Sequence, residues 1–313
     1  MTAYIIRRLL ATIPVMVVVA LFVFLLLHLT PGDPAAVIAG DDASPAEIDG
    51  IRRKLGLDRP IWEQFGIYVG NLLRGDLGTS IFSNLPVLTL VKQRLEPTLV
   101  LAVSTLVVAV AFAVPMGVLA AWKARSLIDR VVMGFSVLGF ALPVFLIGYL
   151  LIYVFAIELR WLPVQGYRPL SQGLGGTARS IALPALALGM VYMALIARIT
   201  RASMLEVLSE DYIRTARAKG VATGSVLLRH ALKNAAVPIV TVIGIGLTLL
   251  ISGVVLTETV FNIPGLGRLT VDAILKRDYP IIQGLIILFA GAKVLVNLMI
   301  DISYTFLDPR IRY

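Results

Sequence analysis

Residues 198–233, RITRASMLEVLSEDYIRTARAKGVATGSVLLRHALK, form the longest polar interruption among the later apolar segments and carry seven Lys and Arg. Leu205, Leu208, Tyr212 and Ala216 recur at steps of three, four and four, which predicts one face of a helix. Gly220 should end that helix with a positive φ. Glu206, Glu210 and Asp211 fall in its first half and Arg214, Arg217 and Lys219 in its last turns, the order the helix macrodipole favours. A second short helix should follow, capped by Thr223 or Ser225 and continuing through Val226 to Asn234, with Arg229 and Lys233 on one face. Such a pair, held between two membrane spans, suits either a docking surface or an amphipathic hairpin lying in the lipid headgroups.

The rest of the chain explains why membrane spans flank it. Of 313 residues, 58% are hydrophobic and 15% charged, and the mean hydropathy is +0.90, a composition foreign to soluble domains. Six stretches are apolar enough to cross roughly 30 Å of hydrocarbon: 9–29, 97–122, 131–157, 180–197, 234–257 and 279–300. The expected fold is therefore all-α, a polytopic membrane protein with six transmembrane helices in a single domain spanning 1–313. The first span follows Arg7 and Arg8 but is too long for the h-region of a signal peptide, so it should be retained. The net charge of +9 is dispersed between apolar runs with no aromatic-interleaved basic patch, which argues against nucleic acid as a partner. No cysteine is present, so thiol chemistry and disulfides are excluded.

Six spans place both termini on one side. Fourteen Lys and Arg fall on that side, against six in the two short opposite connections, 158–179 and 258–277. The long segment 30–96 is exempt from this comparison, so both termini should be cytoplasmic. In that external segment, Thr30-Pro31-Gly32-Asp33-Pro34 forces a turn, Ser44-Pro45-Ala46-Glu47 opens a capped helix, and Trp62 to Leu73 reads as a second amphipathic helix. Pro14, Pro115, Pro143, Pro184 and Pro238 are expected to kink or interrupt spans. Gly244, Thr248 and Ser252 offer a small-residue face to another helix.

Chemistry is sparse. No phosphate-binding loop, H-E-x-x-H pair or serine elbow occurs, and His28 and His230 fall on opposite expected sides of the membrane. Gly134-Phe135-Ser136 has only a faint likeness to an intramembrane protease motif and lacks a histidine base nearby; a packing serine accounts for it better. No catalytic residue and no metal site are expected in this chain. Lys293 is the one ionisable group well inside a span, at a cost of about 2.5–3.5 kcal/mol on insertion scales. With Asn297 and Asp301 it forms an i, i+4, i+8 polar stripe. It either snorkels along that stripe to the inner interface or belongs to a translocation pathway.

A set of ordered motifs runs through the chain: Arg7-Arg8-Leu9-Leu10, Thr30-Pro31-Gly32-Asp33-Pro34, Leu55-Gly56-Leu57-Asp58-Arg59-Pro60 and Gly75-Asp76-Leu77-Gly78. Further on come Arg214-Thr215-Ala216-Arg217-Ala218-Lys219-Gly220, Arg229-His230-Ala231-Leu232-Lys233-Asn234, Glu258-Thr259-Val260-Phe261, Pro264-Gly265-Leu266-Gly267, Arg277-Asp278-Tyr279-Pro280 and Asp308-Pro309-Arg310. In order and spacing the chain resembles the permease subunits of binding-protein-dependent ABC importers, specifically the first permease of dipeptide and oligopeptide systems. The resemblance implies a type I ABC importer permease fold in a bacterial or archaeal plasma membrane. It makes 198–233 a cytoplasmic coupling loop, with Glu210, Tyr212, Arg214, Thr215, Ala216, Arg217 and Gly220 as its contact residues. Importers of the general pattern carry Glu-Ala-Ala where Arg214-Thr215-Ala216 stand, so no salt bridge from a glutamate there carries over.

The implied partners are a second related permease, ATP-binding subunits and an extracytoplasmic binding protein, with the lipid bilayer around them. ATP and magnesium would belong to the ATPase subunits and no cofactor to this chain. Dipeptides or oligopeptides are the implied substrates, with nickel chelates, glutathione or oligosaccharides as alternatives carried by the same machinery. A self-contained secondary transporter is the rival from a different class.

Overall fold

The computed structural model describes residues 2–29, 33–40, 43–54 and 56–307. Thr30 to Gly32, Leu55 and the Asp308-Pro309-Arg310 motif lie outside the described residues. Among those described there is no β-strand, only an isolated bridge between Thr79 and Pro86. The helices are α1 (Thr2–Leu29), α2 (Pro34–Ala39), α3 (Pro45–Lys54), α4 (Ile61–Leu73), α5 (Val87–Trp122), α6 (Leu127–Ala141), α7 (Val144–Leu151), α8 (Leu174–Leu208), α9 (Asp211–Ala218), α10 (Thr223–Ser225), α11 (Leu232–Asn234), α12 (Ala236–Val260), α13 (Leu266–Lys276) and α14 (Tyr279–Leu307). Among the described residues four helices are long and apolar enough to cross a membrane, and the number rises to six when each of two bent pairs is counted as one span. The chain is a multi-pass helical membrane protein.

One of the expected spans is broken, and another is bent only at its first residues. The stretch expected as one span over 131–157 is α6 followed by α7 and a π-helical turn, Ile152–Glu158, the two halves meeting at 107°. Pro143 has no N–H to offer the preceding turn and pushes Leu142 to an extended φ of −87° and ψ of 130°, which ends α6 there. The fifth span bends by 64° at Ala235, before Pro238. By contrast Pro14, Pro115 and Pro184 sit inside continuous helices.

By Cα packing the chain divides into two compact units. One comprises Met1–Arg94 with Leu269–Val294, the other Leu95–Arg268 with Leu295–Tyr313. In the first unit the local caps form as the sequence suggests. Asp33 accepts from Ala35 N at the start of α2, and Ser44 and Glu47 form a reciprocal capping box at the start of α3. Phe24 of α1 packs on Phe65 and Tyr68 of α4, and His28 Nε2 lies 3.1 Å from Gln64 Oε1. Asp278 is buried, accepting from Ser80 Oγ at 2.6 Å. A cleft of about 490 Å³ in this unit is lined by Arg53, Arg59, Tyr68, Asp76 and Gln283 among others.

The second unit is built around α8, of whose most apolar stretch 72% is buried. Helices α5, α6, α7 and α12 surround it in one apolar cluster. Gly117 lets α5 approach closely, since a Cβ there would lie 2.6 Å from Thr200 Cβ. Ser136 Oγ donates to Val132 O within α6, the behaviour of a packing serine. Gly244 and Thr248 receive α14 of the same chain: Ile300 fills the space at Gly244, and Thr248 Oγ1 donates to Asn297 Oδ1 at 3.3 Å. Glu258 is fully buried in the last turn of α12, accepting from Thr98 Oγ1 and from Arg268 N, while Leu266 N donates to Thr98 Oγ1, so the turn into α13 closes on one carboxylate.

Candidate functional site

The segment 198–233 begins as the end of α8, not as a helix of its own. Leu205 and Leu208, expected on the same helix as Tyr212 and Ala216, belong to α8, which stops at Leu208. Ser209 and Glu210 break the path: Glu210 takes an extended φ of −68° and ψ of 147° and serves as N-cap of the eight-residue α9. Glu210 therefore precedes the short helix, and Asp211 opens it, where a carboxylate suits the positive end of the dipole.

At the other end Gly220 has a φ of 76°. Val221 N donates to Ala216 O at 3.2 Å and Gly220 N to Arg217 O at 3.0 Å. This pair of bonds is the Schellman closure, which places its glycine in the left-handed region.

The buried face of α9 is rotated by one residue from the expected one. Ile213 is 0% exposed and Ala216 is buried, whereas Tyr212 is 44% exposed. Ile213 packs in a cluster with Val118 and Ala121 at the end of α5, Met204 of α8, and Val226, Leu227, Ala231, Ala235 and Ile239 beyond the turn. Tyr212 has another use, as its hydroxyl accepts from Asn234 Nδ2 at 2.9 Å, tying α9 to the return path. That path is not capped by Thr223 or Ser225. Ala222 is the N-cap residue of α10 and makes no side-chain bond, and Val226–Ala231 is π-helical before α11.

The outer face of α9 carries Asp211, Arg214, Thr215, Arg217 and Lys219, all exposed. Arg214 pairs only loosely with Asp211, at 3.3 Å with side chains 73% and 95% exposed, and Thr215 Oγ1 donates back to Asp211 O. Arg229 and Lys233 are exposed as well. Two of the seven basic residues are spent inside the chain: Arg198 lies over the Phe140 ring, and Arg201 holds Asp129 through two bonds of 2.5 and 2.7 Å. Asp129 also accepts from Arg125 N at 2.9 Å, which steadies a left-handed turn between α5 and α6. Nothing local announces this pair, since its members are 72 residues apart. What the loop presents outward is thus a short, rigidly seated helix with a basic face.

The second candidate group lies on α14. Lys293 and Asn297 are exposed and Asp301 is half-buried.

A multi-pass helical bundle that projects a short seated helix from a polar loop defines a membrane transport subunit. The chain belongs to the family of binding-protein-dependent transport system inner membrane components, the membrane permease subunits of ABC importers: it matches that family over residues 113–313 and the family of its N-terminal portion over residues 1–113. It is 56% identical over 313 residues, covering both chains fully, to a probable peptide ABC transporter permease protein of Sinorhizobium fredii (strain NBRC 101917 / NGR234). It is 45% identical over 314 residues, again covering both fully, to the glutathione transport system permease protein of Escherichia coli (strain K12).

Proposed function

We propose that this chain is one of two permeases forming the uptake pathway of a peptide importer, and that residues 198–233 are its contact with the ATP-binding subunits. The relatives of like length named for peptide and glutathione transport support this substrate class, and glutathione is itself a small peptide. The observation that carries the coupling role is the seating of α9. Ile213 fixes it to the ends of α5 and α8, and Ala216 is buried beside it, while Arg214, Arg217 and Lys219 are exposed. A force applied to that face is passed into two long apolar helices rather than absorbed by a loose loop.

On this reading the chain hydrolyses nothing and binds no cofactor; ATP and magnesium belong to the ATPase partners. An extracytoplasmic binding protein delivers solute to the outer side, and both termini lie in the cytoplasm, as the Lys and Arg distribution favours. ATP-driven closure would bias the bundle between two packings, each open to one side.

Gly220→Val tests the coupling role. A β-branched residue at a φ of 76° is strained by roughly 1–2 kcal/mol or more, so the end of α9 should unwind while the spans insert normally. The expected result, in the reconstituted complex, is loss of ATPase subunits on co-purification or loss of substrate-stimulated hydrolysis. Wild-type retention and stimulation would mean that the loop does not couple.

A further inference from the structure

Resting on the permease reading, we propose that Lys293 lines the solute pathway and supplies the fixed positive charge that a carboxylate-bearing solute meets near the middle of the membrane. The position on α14 comes first. The helix has 29 residues, and fourteen lie on either side of Lys293. At 1.5 Å per residue it stands about 21 Å from each end, and a hydrocarbon layer of roughly 30 Å set anywhere within the helix leaves it at least about 8 Å from either face.

The side chain also starts in the wrong direction to snorkel along the stripe. Cα–Cβ bonds tilt toward a helix N-terminus, so the Lys293 stem sets out away from Asn297 and Asp301, not toward them. Lys293 is exposed and has no hydrogen-bond or ion-pair partner among the described residues. An isolated ammonium at this depth must face water or protein rather than lipid.

Helix α14 has two exposed surfaces of different character, which says where the lipid goes. Leu295 and Met299 are 55% and 65% exposed, and at 100° per residue they lie roughly 200–240° around the axis from Lys293. Asn297 and Asp301 lie within roughly 80° of it. The apolar surface suits acyl chains. The polar surface, which carries Lys293 and Asn297, is the side turned to an aqueous pathway.

The chemistry of that side selects a solute class. Lys293 is a point charge with three donors on a flexible stem, and its helical neighbour Asn297 is neutral. An unpaired cation complements a carboxylate, and every unblocked peptide ends in one.

The chain has no cysteine, so Lys293→Cys and Met299→Cys each carry one thiol in this subunit within the complete reconstituted complex. A negatively charged, membrane-impermeant methanethiosulfonate should modify Lys293→Cys and leave Met299→Cys untouched. Equal, negligible modification of both would overturn the pathway position. For the charge itself, uptake of trialanine and of trialanine amide is compared in wild type, Lys293→Met and Lys293→Arg. Lys293→Met should lower subsaturating trialanine uptake roughly ten- to hundredfold, the usual worth of a hydrogen bond to a charged group. The amide should be nearly unaffected and Lys293→Arg should stay within a fewfold of wild type. Because the binding protein is the same throughout, an unchanged ratio of acid to amide uptake in Lys293→Met would overturn the carboxylate role. Modification as expected in a complex that transports no trialanine would support the position of Lys293 and overturn the peptide reading alone.

Discussion

Replacing Ile213 by Ala should undock α9 without disturbing the spans. An eight-residue helix is far below the roughly 12–15 residues at which isolated helices become even marginal, so α9 exists by virtue of its contacts. Ile213 is its only fully buried large side chain, seated among Val118, Met204, Val226 and Ala231. The substitution removes three carbons, about 2.4 kcal/mol at roughly 0.8 kcal/mol per buried methylene, and an unfilled cavity moves the loss up within the usual range of about 2–5 kcal/mol. At about 1.4 kcal/mol per tenfold, local opening of α9 should become at least about fiftyfold more populated. Hydrogen exchange of the amides of 214–218 in the purified complex reads this directly, with the buried middle of α8 as the unchanged control. Substrate-stimulated ATP hydrolysis should fall alongside. Tyr212→Ala, which removes an exposed ring and one bond to Asn234, should have the smaller effect. If Tyr212→Ala loosens α9 more than Ile213→Ala does, the burial argument is refuted.

Two further outcomes follow from local geometry. Arg201→Met strands a carboxylate, Asp129, whose side chain is only 6% exposed; the loss should sit toward the low end of roughly 3–5 kcal/mol because Arg201 itself is 26% exposed. Adding Asp129→Asn should restore part of it in thermal unfolding of the detergent-solubilised protein, and a double variant as unstable as the single would count against the pairing. At the start of α3, bonds from the Ser44 backbone N–H and then its hydroxyl hold the Glu47 carboxyl below its ordinary 4.5. A depressed carboxylate contributes stability above its unfolded value and loses it as pH falls through the folded one. The first turn of α3 should therefore keep its exchange protection from pH 7 down to the ordinary carboxylate range and fray below about 4.5. Glu47→Ala should abolish that step; a step of the same size in the variant would assign it elsewhere.

What the sequence made legible and what it hid have separable physical causes. Spans were readable because apolar length is a sum over many residues, and the end of α9 because a glycine imposes local backbone geometry. Pro143 was visible as an interruption, yet the 107° bend depends on the extended Leu142 and on what α6 and α7 pack against. The break after Leu208 was hidden for a different reason. Steps of three, four and four from Leu205 to Ala216 are in phase with one continuous helix, so periodicity cannot register a residue of extended backbone, Glu210, in its middle. Once Ser209 and Glu210 leave the helix, the phase restarts, and the buried face of α9 moves from Tyr212 to Ile213. The same blindness covers Asp129 with Arg201 and Glu258 with Thr98, whose members meet across 72 and 160 residues.

Lys293 was a different case, because its identity was plain and its setting was not. As a sequence, Lys293-Asn297-Asp301 fits both a ladder for a snorkelling lysine and a pathway lining. The uninterrupted extent of α14 to Leu307 supports the proposed pathway position, because it puts the charge near the helix centre, while the exposed Leu295 and Met299 offer lipid another face. A helix that presents an apolar surface on one side and, on the other, an ammonium without a partner among the described residues has to stand between lipid and water. In the reading proposed for Lys293, the water it borders is the pathway.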